Sequence, residues 1–193
     1  MNTKQRPSKI RAFVAIRLSA EVIGAITELI SKISALGAQV AWVKPGNFHL
    51  TLRFLGDQVD VDKLEPLKAA LDDVAAETKP FVIAARGIGV FPNWHSARVV
   101  WVGLESPELM TLAERVEASA VGAGFSPERR PYAAHLTVGR VRGLHRWRET
   151  ARALKVWAEH DFGTSRIDSM TLYRSTLSAG GSIYQALAEF RFG

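Results

Sequence analysis

One short pattern occurs twice in this chain. Phe48-His49-Leu50-Thr51-Leu52 is echoed by Ala134-His135-Leu136-Thr137-Val138, with the two histidines 86 positions apart in 193 residues. A repeat of nearly half the chain is too long for a solenoid unit. It predicts two similar lobes, each donating one strand of this kind. Both copies have strand character, and in a strand residues i and i+2 share a face. His49 and Thr51 therefore point one way while Leu50 and Leu52 point into a core. His135 and Thr137 match them, with Leu136 and Val138 opposite.

Two such strands side by side bring two imidazoles and two hydroxyls to one place. Imidazole titrates near about 6.5, so protonated and neutral forms coexist near neutrality. A neutral histidine can take a proton from water while a protonated one donates to a departing ribose oxygen. Threonine hydroxyls and arginine can hold the non-bridging phosphate oxygens. That chemistry suits hydrolysis of a cyclic phosphodiester and needs no metal, cofactor or covalent nucleophile. His95, His145 and His160 have no such partner in the sequence and read as structural.

The net charge is +6. Seven arginines (129, 130, 140, 142, 146, 148 and 152) stand against Glu128 and Glu149 around His135, a local +5. The planar guanidinium fork suits phosphate. For Arg148 and Arg152 a solvated helix face fits equally well. The chain has no cysteine, which leaves out disulfides and thiolate chemistry and suits a reducing cytoplasm. No apolar run approaches membrane-spanning length. Residues 1–10 read as a basic, flexible tail, with no apolar stretch of the signal-peptide kind.

Periodicity supplies the elements. Strands are predicted over 11–18, 40–43, 48–55, 81–88, 98–104, 132–141, 162–173 and 183–190, and helices over 20–36, from Asp60 or Asp62 to 77, 106–121 and 146–160. Hairpin-like strand pairs among alternating helices favour α+β with antiparallel sheets over a doubly wound parallel sheet.

The paired motifs resemble the 2H phosphoesterase superfamily, in particular its RNA 2′,3′-cyclic phosphodiesterase branch, also called the LigT/ThpR-like 2′-5′ RNA ligase family. RAFVAIRL, WVKPGNFHLTLRFLGD, the Phe91-Pro92 loop, RPYAAHLTVGRVRG and LYRSTLSAGGSIYQAL carry the resemblance, from about Arg11 to Phe192. It implies a single bilobal, pseudo-symmetric domain, two antiparallel sheets around a central cleft with helices outside. It implies metal-independent opening of RNA 2′,3′-cyclic phosphate ends to 2′-phosphates, and in some relatives the reverse 2′-5′ ligation. By the same resemblance His49 is the general acid, His135 the base, Thr51 and Thr137 the phosphate holders, and Arg140 a phosphate-side arginine. Strict alternation puts Arg140 on the face opposite His135, so that role requires a bulge or the strand's end. Arg130 is a further substrate-binding candidate. Phe48 and Tyr132 flank the motifs and could stack on a base or fill the core. The partner implied is an RNA or oligonucleotide end, with no membrane, and a monomer is expected. Two other classes compete. A non-catalytic RNA-binding module would use the arginines but leaves the His-Thr pairing unexplained. A metal hydrolase would need a third ligand, which neither motif supplies.

Overall fold

The computed structural model describes residues 8–178 and 181–193. The basic tail through residue 7, and Ala179 and Gly180 of the late motif, lie outside the described residues. The chain runs β1 (Lys9–Ile16), α1 (Ala20–Ser34), β2 (Val40–Trp42), a 3₁₀ turn (Pro45–Asn47), β3 (Leu50–Asp60) and a second 3₁₀ turn (Val61–Lys63). It continues through α2 (Leu64–Ala76), β4 (Phe81–Phe91), β5 (Val99–Glu105), α3 (Pro107–Gly122), β6 (His135–Val141), α4 (Trp147–Lys155), β7 (Asp161–Ile167), β8 (Ser169–Ser178) and β9 (Gly181–Arg191). This is the α+β class that the sequence predicts.

The strand order is β7-β4-β5-β6-β3-β1-β8-β9, with β2 beside β6, and every pairing is antiparallel. The two expected sheets are the arms of one nine-stranded sheet. They join where β3 meets β6, through the single register pair Leu50↔Leu136. Both leucines are fully buried. The arms are not the halves of the chain, because β1 and β3 share an arm with β8 and β9 while β2, β4 and β5 share one with β6 and β7.

Helices cover each arm. α2 and α3 pack together, against β9 and β3 respectively, whereas α1 and α4 lie against β7 and β4. In α1 the buried residues Val22, Ile26, Leu29 and Ile33 recur at helical spacing, and the Ser19 hydroxyl caps the first turn by accepting from the Val22 amide. Neither Asp60 nor Asp62 caps α2; the 3₁₀ turn leads into it without a side-chain cap. One continuous core runs through both arms. A separate small cluster of Phe13, Ala15 and Tyr173, with Phe54 and Tyr184 against it, occupies the other face of the first arm.

Several boundaries differ from the periodicity: β3 and β4 run on to Asp60 and Phe91, β6 opens only at His135, and three further differences have a visible reason. β1 opens at Lys9 because Ile10 is buried and pairs with Val59. The predicted strand 162–173 is two strands, β7 and β8, which belong to different arms: β7 pairs β4 while β8 pairs β1 and β9. Helix α4 stops at Lys155 instead of running to His160. The turn after it serves β4, where Gly87 and Ile88 donate to the His160 and Trp157 carbonyls at 2.8 and 3.1 Å. Gly87 has φ +71°, and a Cβ there would sit 2.4 Å from the Ala158 carbonyl oxygen, so glycine is required.

Candidate active site

His49 stands one residue before β3, and His135 opens β6. The leucines that come next form the pair that joins the arms. The contact that unites the sheet therefore also brings the two histidines to one place. Both rings are held alike. His49 Nδ1 is 2.7 Å from the Asn47 carbonyl and His135 Nδ1 is 2.7 Å from the Ala133 carbonyl, each two residues upstream. A carbonyl only accepts, so each Nδ1 carries a hydrogen and each Nε2 is left for chemistry. Asn47 is itself fixed, since its side-chain amide donates to the Ser182 carbonyl on β9 at 2.8 Å.

The histidines and both threonines of the motifs line one cleft of about 590 Å³. Arg11, Lys44, Arg130, Arg140 and Arg142 line it too, and among the described residues no aspartate or glutamate does. Cations facing a concave, partly desolvated surface focus a positive field there. Aromatic groups wall both rings. His49 packs on Phe13 at 4.8 Å and meets Tyr184 edge-on at 5.1 Å, while His135 meets Phe91 edge-on at 5.2 Å. The His49 imidazole is pushed below its ordinary pKa, first by burial and then by the positive charges of Arg17 and Arg140; the Asn47 carbonyl works in the opposite direction.

A matched irregularity sets the rest of the cleft. Between β6 and β5 the register passes from Thr137↔Trp101 to Gly139↔Val100, so Val138 is an extra residue. Between β3 and β1 it passes from Thr51↔Ala15 to Arg53↔Val14, so Leu52 is extra. Each bulge lies three residues past its histidine. One added residue flips the facing of the side chains that follow it, as far as the next bulge. Arg140, five residues past His135, consequently lines the cleft, as the resemblance requires and strict alternation forbids. Phe54, five residues past His49, lines it from the other side. The residues in between turn inward: Gly139 is buried, and so is Arg53. Arg53 lies against the Glu117 carboxylate and donates to the carbonyls of Phe54 and Ser126.

Two consecutive stretches, 16–101 and 102–184, match the model of the LigT-like phosphoesterase family. The chain belongs to that family. A protein of Methanothermobacter thermautotrophicus named RNA 2′,3′-cyclic phosphodiesterase is 37% identical, with 95% of this chain and 99% of that one covered. A relative of the same name from Archaeoglobus fulgidus is 34% identical, covering 94% and 99%. Among solved structures, a Thermus thermophilus protein superposes with a TM-score of 0.77 at 28% identity, covering 95% and 98%. E. coli LigT complexed with NADP+ gives 0.74 at 26%, covering 96% and 99%.

In this LigT-like chain the structure brings together His49, His135, Thr51, Thr137, Arg130 and Arg140, and it separates the two flanking aromatics. Phe48 is 1% exposed in the main core, because it points opposite to the adjacent His49. Tyr132 packs against the same core outside the cleft lining, and burial pushes its hydroxyl pKa well above the ordinary value. Neither side chain is placed to stack on a base. The aromatics that do line the cleft are Phe13, Trp42, Phe54 and Tyr184. Only Phe54 carried a usable signal, as the counterpart of Arg140 in the repeat. Among the described residues, no three His, Asp or Glu side chains are grouped to hold a metal ion, and no helix is long and apolar enough to cross a membrane.

Proposed function

We propose that this chain hydrolyses RNA 2′,3′-cyclic phosphate ends to 2′-phosphates by paired-histidine general acid and base catalysis. The observation that carries the reading is the matched pair of imidazoles, each pinned through Nδ1 and each facing the same acid-free basic cleft. Relatives named RNA 2′,3′-cyclic phosphodiesterase support it. Neutral His135 accepts a proton from water at Nε2 as the oxygen attacks phosphorus. The bond from phosphorus to O3′ breaks, and His49 Nε2–H protonates O3′. The products are a 2′-phosphate monoester and a free 3′-hydroxyl, with the histidines in exchanged protonation states that solvent resets. Thr51 and Thr137 donate to the non-bridging oxygens, and Arg140 and Arg130 offset the phosphate charge.

A bound 5′-hydroxyl in the place of water would be joined by the same proton transfers, giving a 2′-5′ linkage. The protein is proposed to act as a monomer, since one chain supplies both histidines. The cytoplasm is the proposed compartment, where a cysteine-free chain acting on RNA has its substrate. The test is incubation of an RNA ending in 2′,3′-cyclic phosphate, with phosphorus NMR of the product. A terminal 2′-phosphate at a rate unaffected by EDTA is expected. A 3′-phosphate would overturn the bond assignment, and binding without turnover would overturn the enzyme reading.

A further inference from the structure

A second groove adjoins the cleft. Its volume is about 660 Å³, within the roughly 300–1,000 Å³ of small-ligand sites. The two share Phe54 and Arg130 in their linings. Away from that threshold the groove runs between the end of β3 and the loop that precedes β6, where Lys63 and Arg129 line it. Its two carboxylates are unequal. Glu128 is occupied, accepting from the Arg129 and Arg130 amides at 2.9 and 3.2 Å and standing 3.8 Å from Arg53. That leaves Asp60 as the less engaged acid. Among the described residues Arg129 forms no ion pair, and the Arg130 side chain, although its Nε stands 3.6 Å from Glu128, is 89% exposed. The Phe54 ring at the threshold has the Arg11 guanidinium over its face, 4.6 Å from the centroid. Arg11 is itself half-buried and paired with Asp57, but a half-exposed ring beside cations such as Arg130 is the usual platform for single-stranded nucleic acid.

A cyclic phosphate occupies the 3′ end of an RNA, so any polymer attached to it must leave the cleft from the 5′ side of the terminal ribose. The groove past Phe54 meets the cleft at Phe54 and Arg130 and is lined by more cations than carboxylates. A third depression, about 200 Å³ beside Arg17 and Arg166, shares no lining residue with the cleft among the described residues and is lined by Asp168 and Glu189 as well. We propose that the groove lined by Lys63, Arg129 and Arg130 holds the nucleotides immediately 5′ of the cyclic phosphate. The chain then prefers oligonucleotide ends over cyclic mononucleotides. This rests on the proposed hydrolase reading.

The test compares wild type with Lys63→Gln/Arg129→Gln, neither residue being part of the reacting site. Turnover is measured on a cyclic mononucleotide and on a tetraribonucleotide with the same cyclic end. Binding is measured on the tetraribonucleotide carrying a 2′-phosphate, which is not turned over. For the double variant, oligonucleotide binding and kcat/KM are expected to fall about tenfold, with mononucleotide kcat/KM unchanged. The slope of log affinity against log salt should flatten by about 0.7 for each phosphate contact removed. Equal binding by both proteins, or equal loss on both substrates, would overturn the groove assignment. Absent turnover with groove-dependent binding intact would overturn the hydrolase reading and leave the groove standing.

Discussion

Each candidate histidine is oriented by a backbone carbonyl, and this choice has electrostatic consequences. A carboxylate at Nδ1 would fix the same tautomer but add a negative charge that raises the imidazole pKa. The carbonyls of Asn47 and Ala133 orient without that charge. His49 is left to burial and to the cations Arg17 and Arg140, all of which favour its neutral form. As the proposed acid it must therefore gain its proton along with the anionic substrate, whose charge opposes those cations. In the free protein the His49 ring is expected to titrate below its ordinary value. Its pKa should rise when a nucleotide 2′-phosphate binds, and rise in Arg140→Gln, where one repelling charge is gone. NMR titration of the ring protons checks both signs. Activity that needs protonated His49 falls as pH climbs through that pKa. The His49 limb of kcat/KM therefore lies at lower pH than the corresponding limb of kcat. His49→Ala and His135→Ala should each cost about 10²- to 10⁴-fold in turnover, with thermal unfolding little changed. Near-normal rates in either variant would remove that residue from the chemistry.

At the scale of elements, the two bulges decide which side chains reach the phosphate. The His-x-Thr units were legible in the sequence because period-two alternation holds as far as Thr51 and Thr137. Beyond them it fails in both copies at the same place, and a bulge leaves no local residue signature comparable to a cap or a turn. Arg140 was reachable from the sequence only through the family resemblance. The Val138-Gly139 pair has its reason in packing. A Cβ at Gly139 would lie 2.8 Å from both Trp42 Cε3 and Val40 Cγ1 of β2. Trp42 lines the cleft. Gly139→Ala must push β2 off β6, and it is expected to destabilise by about 1–3 kcal/mol as overpacking does. It should also raise KM by moving Trp42. Denaturant unfolding with an unchanged m-value, together with steady-state kinetics, tests this. An unshifted midpoint would show that β2 yields freely.

Across the whole molecule, the sequence repeat and the strand pairing divide the chain differently. The repeat suggests a cut near the middle, and the family model matches either side of such a cut. The sheet is interleaved across it: β1 pairs β8, β4 pairs β7, and β2, β3 and β5 all pair β6. Every strand before α3 thus has a partner after it. No sequence period encodes this, because the partner of β1 lies some 160 residues away and hydrophobic alternation says only that a strand has one. The aromatic wall was hidden for the same reason, since Phe13 and Tyr184 reach His49 from opposite ends of the chain. Residues 1–105 alone would keep the β1–β3 and β4–β5 ladders but expose the opposite edge of each strand, and α2 would lose the face it packs on α3 and β9. Isolated strand pairs are marginal in water. Residues 1–105 and 106–193, produced separately, are each expected to lack a cooperative unfolding transition. Mixed, they should regain one transition and turnover of a cyclic phosphate together, because the pair Leu50↔Leu136 that unites the arms also brings His49 to His135. Either piece unfolding cooperatively by itself would mean that the arms are independent of this pairing.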